Sequence, residues 1–314
     1  MEKHIKFTIP KNNLICDSNK KNKIMNRFNK NSVIMLLPWM LILFIFWLYP
    51  LLYSGYLSLN EYHSLTRETN FVGFGNYIKM FSDNLFWKAL KNTCIFTLGT
   101  VPFTTIIALV LAVLLNNNKT KFKSFFKAAF FLPSITSLVV LSLIFTNLYA
   151  KHGYINMILS TLGLPHPEIG WLLDTNTSLL SVMIMDVWSA FGYYMLIFLA
   201  ALQTIPSSIY DSAKLVGSSA FNTLTKLTIP LLKPTLIFVL IINLIKSFQI
   251  FIEIYIMTKG GPLYSSTTLV YMIFTSGFEK TDAMGYASAI SYFLFFLLLV
   301  LSFFQLSFMN EKRK

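Results

Sequence analysis

The sequence predicts an all-α integral membrane protein that crosses the bilayer six times. Two observations carry this reading. Of its 314 residues, 55% are hydrophobic and 12% charged, about half the charged share of an ordinary soluble chain. The apolar residues also gather in six runs, roughly 33–57, 93–115, 130–149, 179–202, 236–257 and 283–308. Each comes near the ~20 residues that a hydrocarbon core of ~30 Å demands at ~1.5 Å of rise per residue. None alternates with a period of two, so helices rather than a closed barrel must satisfy the backbone.

Residues 1–31 are polar and lysine-rich, and the run behind them is too long for a secretory leader and lacks a small-residue cleavage site. They are read as a basic cytoplasmic arm, followed by a membrane domain over 32–310 and a short tail, 311–314. The two cysteines, Cys16 and Cys94, would sit in different compartments, so no disulfide framework is implied.

The net charge of +13 is unevenly spread. The arm, the 116–127 segment "NNNKTKFKSFFK", the segment around Lys214, Lys226 and Lys233, and the tail together hold eighteen basic residues against four acids. The alternate segments hold seven of each. Positive charge marks the cytoplasmic side of membrane proteins, which places both termini and the 204–234 segment there. The basicity orients the chain and is not a nucleic-acid footprint.

That segment, centred on "IPSSIYDSAKLVGSSAFNTLTKLTIPLLKPTL", is polar, rich in small residues and punctuated by prolines. It reads as helix, break, helix: Thr204 as cap, Pro206 in a first turn, Gly217 at a left-handed stop, Ser218 capping a second helix, and Pro230 and Pro234 ending it. Phe221, Leu224 and Leu227 fall on one face of the second piece. Spacing alone leaves two options, an interfacial helix joining two spans or a knob for a partner's groove.

Asp211-Ser212-Ala213, three residues, Gly217, nine residues, then Leu227-Thr-Ile229-Pro230 resembles the Glu-Ala-Ala coupling loop of bacterial ABC-importer permeases. Asp stands for Glu and Ser for the first Ala. "FVGFGNYIKMF", "FWKALKNTCIFT", "FFKAAFFLPS", "HGYINMIL", "WSAFGYYMLIFLAALQTIP", "TKGGP" and "GYASAISYFLF" follow in the order of the carbohydrate-uptake branch. The chain thus resembles the permease subunits of maltose- and glycerol-phosphate-type importers over about 33–308. The resemblance implies the type I ABC-importer permease fold, working as half of a dimer with a second, distinct permease. It also implies two cytoplasmic ATP-binding subunits, an extracytoplasmic binding protein, a carbohydrate cargo and a bacterial cytoplasmic-membrane location. In the loop, Leu215 and Val216 would supply apolar contact, Gly217 the turn and Asp211 a polar tether, beside Ser212, Ala213 and Pro230.

No G-x-x-x-x-G-K-[ST] loop occurs, so ATP and Mg are expected on the partner ATPase, with no cofactor on this chain. His4, His63, His152 and His166 are scattered, which offers neither a metal set nor a nucleophile's base. The chain is expected to be a transport subunit and not an enzyme.

Ionisable residues inside spans are functional candidates by default, and three occur: Asp186, Lys246 and Glu253. Asp186, Ser189 and Tyr193 share one helical face, as do Asn243, Lys246 and Ser247. Asp186 and Lys246 could pair to hold two helices together or meet cargo. The resemblance places sugar-contact positions on Asp186, Ser189, Ala190 and Tyr193, and on Asn243, Lys246, Ser247 and Ile250. Maltose-type permeases carry an aromatic where Lys246 stands, so a buried cation would favour an anionic sugar derivative. Glu253, two turns on, is expected at an outer gate or against the binding protein, with the Gly260-Gly261-Pro262 turn. The 58–92 and 151–176 loops read as structured outer pieces, either simple caps or surfaces for that protein. Rival readings are a permease for polyamine or sulfate, and an ion-coupled secondary transporter, which would need its own ion site and usually an inverted repeat.

Overall fold

The computed structural model describes residues 34–63, 68–117 and 121–310. The basic arm with Cys16, Lys119 and the tail 311–314 lie outside them. Contacts divide the chain into two units, at Ser54/Gly55. The described part of the first unit belongs to helix α1 (Ile34–Ser58), of mean hydropathy 2.2. Its stretch Leu43–Leu48 is wound as a π-helix. Apolar side chains surround its whole circumference, as suits a helix bathed in lipid.

The second unit opens with a hairpin. Strand β1 (Asn60–Tyr62) pairs antiparallel with β2 (Thr69–Phe71), Asn60 opposite Phe71. Helix α2 (Gly75–Ser82) follows, burying Met80 and exposing Ile78. Asn76 ties it to the hairpin, donating to the carbonyls of Ser58 at 3.0 Å and Asn60 at 2.9 Å. The expected outer amphipathic piece is therefore a pinned helix.

Helix α3 (Asn84–Asn116) begins well before the apolar run expected to start at 93. The polar first turns are helical because Asp83 caps them, accepting from the Leu85 N–H at 2.8 Å. The Tyr286 hydroxyl donates to the other Asp83 oxygen at 2.7 Å.

The run expected as one helix over 130–149 is instead a bent pair. Helices α4 (Lys123–Ile135) and α5 (Leu138–Leu148) meet at 94°. Pro133 lacks an N–H and weakens the α4 ladder, and Thr136 turns extended, donating its N–H to the Pro133 carbonyl at 3.2 Å. The described residues thus contain five helices long and apolar enough to cross a membrane, or six if the bent pair counts as one.

After a short helix, α6 (Tyr154–Thr161), α7 (Ser178–Gln203) matches its predicted run within a residue at each end. It packs along α3, with Ala108 and Ala112 meeting Tyr194, Met195 and Phe198. Small residues on one helix let the other approach closely. A Cβ at Gly192 would fall 1.9 Å from the Phe130 carbonyl oxygen, so α4 crosses α7 at glycine-limited distance.

The 204–234 segment holds α8 (Ser207–Leu215) and α9 (Ala220–Thr223), which runs through a π-helical turn, Leu224–Thr228, into Ile229–Leu231. Several details differ from expectation. Pro206 precedes α8 without a side-chain cap, and Thr204 bonds back to the Ala201 carbonyl. Ser219, not Ser218, caps α9 by accepting from the Asn222 N–H at 3.3 Å. Pro230 and Pro234 sit in first turns, which tolerate a missing N–H.

Helix α10 (Lys233–Phe248) was expected to continue to 257, but the helix stops and resumes as α11 (Ile252–Met257). Residues 249–251 leave the helix, and the Ile250 carbonyl they release accepts from the Thr268 hydroxyl at 3.3 Å. Helix α12 (Leu269–Phe274) extends as a π-helical turn, Thr275–Glu279, before α13 (Met284–Asn310) closes the unit.

Candidate functional site

The break between α10 and α11 opens onto a cavity of ≈ 250 Å³. Its lining includes Asp186 of α7, Lys246 and Ser247 of α10, Gln249, Ile250 and Phe251 of the break, Glu253 of α11, and Phe96 of α3. The three ionisable residues that the sequence places within apolar runs, Asp186, Lys246 and Glu253, therefore face one space. Irregular backbone at membrane depth is tolerated where it is buried in protein or lines a cavity, and both hold here.

The Lys246 ammonium donates to Asp186 Oδ1 at 2.9 Å. The Asp186 side chain is 3% exposed and that of Lys246 37%, so the carboxylate is enclosed while the lysine stem borders the cavity. The pairing left open by the sequence is made. It relieves two charges that would each be costly alone in a dry interior.

Glu253 was expected at an outer gate or against a binding protein. It is 3% exposed and lines the same cavity. Counting two turns from Lys246 carried it outward only on an unbroken helix. The break redirects the chain.

The other predicted residues divide. Ser247 lines the cavity, and its hydroxyl lies 3.1 Å from that of Thr100 on α3. Ile250 is buried in the adjoining cluster with Met185 and Ile254. Ser189, Ala190, Tyr193 and Asn243 are not among the lining residues. Ser189 donates to the Asp186 carbonyl within α7 at 3.0 Å. Ala190 joins the α3–α7 core, and Tyr193 is exposed beside the α4–α5 bend. Asn243 is fully buried and donates to the Val101 carbonyl at 3.5 Å. Sequence reasoning missed Gln249, Phe251 and Phe96. Gln249 alone carried a signal, as a polar side chain in an apolar run.

The Gly260-Gly261-Pro262 turn stands apart from the cavity as a bonded loop. The Gly260 carbonyl accepts from Thr267 at 2.9 Å and that of Gly261 from Ser266 at 2.7 Å. Asn92 fixes the following residues, donating to Tyr264 and Thr267 carbonyls at 3.0 Å.

At the far end of α7 and α10 lies the 204–234 segment. Leu215 is 89% exposed and Val216 82%. Gly217 adopts φ 71°, and a Cβ there would meet nothing within 4 Å, so the left-handed backbone rather than crowding calls for glycine. Asp211 pairs with Lys214 at 2.9 Å, both well exposed. Ser212 lies exposed on the same helix, Ala213 anchors it from the buried side, and Pro230 is exposed. Among the described residues no group of three or more His, Cys, Asp or Glu side chains could hold a metal ion.

Residues 72–314 match the family described as "Binding-protein-dependent transport system inner membrane component". The chain is 35% identical to the lactose transport system permease protein LacF of Rhizobium radiobacter, over 93% of this chain and 98% of that one. It is 31% identical to the trehalose/maltose transport system permease protein MalF of Thermococcus litoralis, over 91% and 95%. Among solved structures, a chain of a bacterial alginate ABC transporter, crystallised with its alginate pentasaccharide-bound periplasmic protein, superposes with a TM-score of 0.80 at 22% identity, covering 93% of this chain and 98% of that one.

Proposed function

The chain belongs to the family of inner membrane components of binding-protein-dependent transport systems, and on that premise we propose how it works. It is the membrane-spanning permease subunit of a sugar importer, a transport subunit and not an enzyme. The observation that carries the mechanism is the cavity at the α10–α11 break, where Asp186, Lys246 and Glu253 converge, joined through α7 and α10 to the exposed coupling segment. Relatives named for lactose, trehalose/maltose and arabinooligosaccharide transport support a saccharide cargo.

In this reading Leu215 and Val216 enter a cleft on a cytoplasmic ATP-binding subunit, Gly217 sets their angle, and Asp211 and Ser212 border the contact. ATP and Mg are bound there and not on this chain. Closure of two such subunits swings α8 and α9, and with them the inner ends of α7 and α10, so that the cavity opens alternately to each side. A second, distinct permease supplies the other wall, and an extracytoplasmic binding protein delivers the sugar. Asp186, Lys246, Ser247 and Ile250 form this chain's share of the path, with Ser189, Ala190, Tyr193 and Asn243 behind it. The charge asymmetry supports a cytoplasmic location for both termini.

The test is affinity purification from native membranes in mild detergent, comparing wild type with Gly217→Asp. A phosphate-loop ATPase and a second permease are expected with wild type, and the ATPase is expected to be lost from the variant. A chain that purifies alone, with the variant indistinguishable, would sink the coupling mechanism.

A further inference from the structure

Among the described residues Lys246 is the one basic residue lining the cavity, and its ammonium is already held by Asp186 at 2.9 Å. The cation that would favour an anionic cargo is therefore spent inside the protein. What remains is Glu253, 3% exposed and lining the cavity. Among the described residues no hydrogen bond from another residue reaches its carboxyl group. Its own backbone N–H is the donor it has, and a buried carboxyl so sparsely bonded is costly, a cost recovered when a ligand brings further donors. Saccharide hydroxyls are such donors. A uronate or phosphate brings acceptors and a second negative charge to a space that already holds two carboxyl groups and one ammonium. Phe96 and Phe251 line the same space and offer apolar walls to the C–H faces of a sugar ring.

We propose that Glu253 is a specificity-determining residue of the translocation path, accepting hydrogen bonds from uncharged saccharides and excluding their acidic derivatives. The inference rests on the saccharide reading above.

The experiment uses the complete transporter, purified with its partners and reconstituted in vesicles holding ATP. Uptake is measured for matched probes, lactose against lactobionate and maltose against maltobionate, with arabinotriose as a third neutral probe. The binding protein is the same for every variant, so a change in the neutral-to-acidic ratio reports the permease. Wild type is expected to favour the neutral member of a pair at least ten-fold. Glu253→Gln keeps one acceptor oxygen and removes the charge, so the ratio is expected to fall several-fold. Glu253→Ala is expected to raise KM for the neutral probe about ten-fold. ATPase copurification in both variants confirms assembly, and if Glu253→Ala fails to assemble, Glu253→Gln decides alone. Variants that take up sugar with unchanged KM and ratio overturn the role of Glu253 and leave the saccharide reading standing. An assembled wild type that takes up no probe of either class overturns both.

Discussion

The cavity and the 204–234 segment are opposites. One encloses two carboxyl groups beside a partly exposed lysine, while the other displays Leu215 and Val216 almost fully to solvent. Each inverts the placement that a folding chain prefers, yet the two inversions are resolved differently. The cavity is partly satisfied from within, because Lys246 meets Asp186. The 204–234 segment has no internal remedy, since its apolar pair tops a helix whose buried anchor is Ala213. A misplaced group that finds its own partner stabilises the fold, and one that does not advertises a partner elsewhere.

The largest effect is expected for Lys246→Met, which strands Asp186. Removing one member of a buried pair costs about 3–5 kcal/mol, so a large fall in thermal midpoint in detergent is expected, and Asp186→Asn/Lys246→Met is expected to recover most of it. A single variant as stable as wild type would show that the pair holds nothing. Next is Gly192→Ala, whose methyl would collide with the Phe130 carbonyl. Overpacking of this kind costs about 1–3 kcal/mol, read in the same assay, and no loss would mean that α4 is free to withdraw. Leu215→Ser belongs to the other class. The chain's own midpoint should not move, but affinity for the ATPase should drop roughly ten-fold or more, the loss of about 1.5–3 kcal/mol of side-chain burial, measured by titrating the purified ATPase. The smallest effect is expected for Asp211→Asn. Its pair with Lys214 is exposed and is worth no more than about 0.5 kcal/mol, so a fall in ATPase binding without a change in midpoint would assign it to the partner.

Much of this was legible in the sequence for a simple reason. Helix α7 announces itself because a span must be apolar over its whole length, and its ends fall within one residue of the apolar run. Gly217 was readable because few residues tolerate its backbone. The 94° bend carried a hint in Pro133. The break at 249–251 carried none, since Gln249, Ile250 and Phe251 are neither glycine nor proline, and its freed carbonyl is satisfied by Thr268, which lies far along the chain. That omission propagated. Helical spacing carried Glu253 two turns beyond Lys246 toward an outer gate because it assumed an unbroken helix to 257, whereas the break brings Glu253 into the lining of the cavity. A local period cannot report a disruption whose cause is tertiary.

One small contact ties the bent pair to the cavity. The Ser134 hydroxyl donates to the Ser189 carbonyl at 2.7 Å and accepts from the Tyr193 N–H at 3.1 Å. These two groups, four residues apart, are natural partners for each other within α7. Ser134 is thus spliced into the backbone of a neighbouring helix, one turn from Asp186. The bond therefore ties α4 to the main chain of α7 and not to a side chain. While the serine is engaged, tilting α4 tugs on the main chain of α7 and not on a side chain that could swivel away.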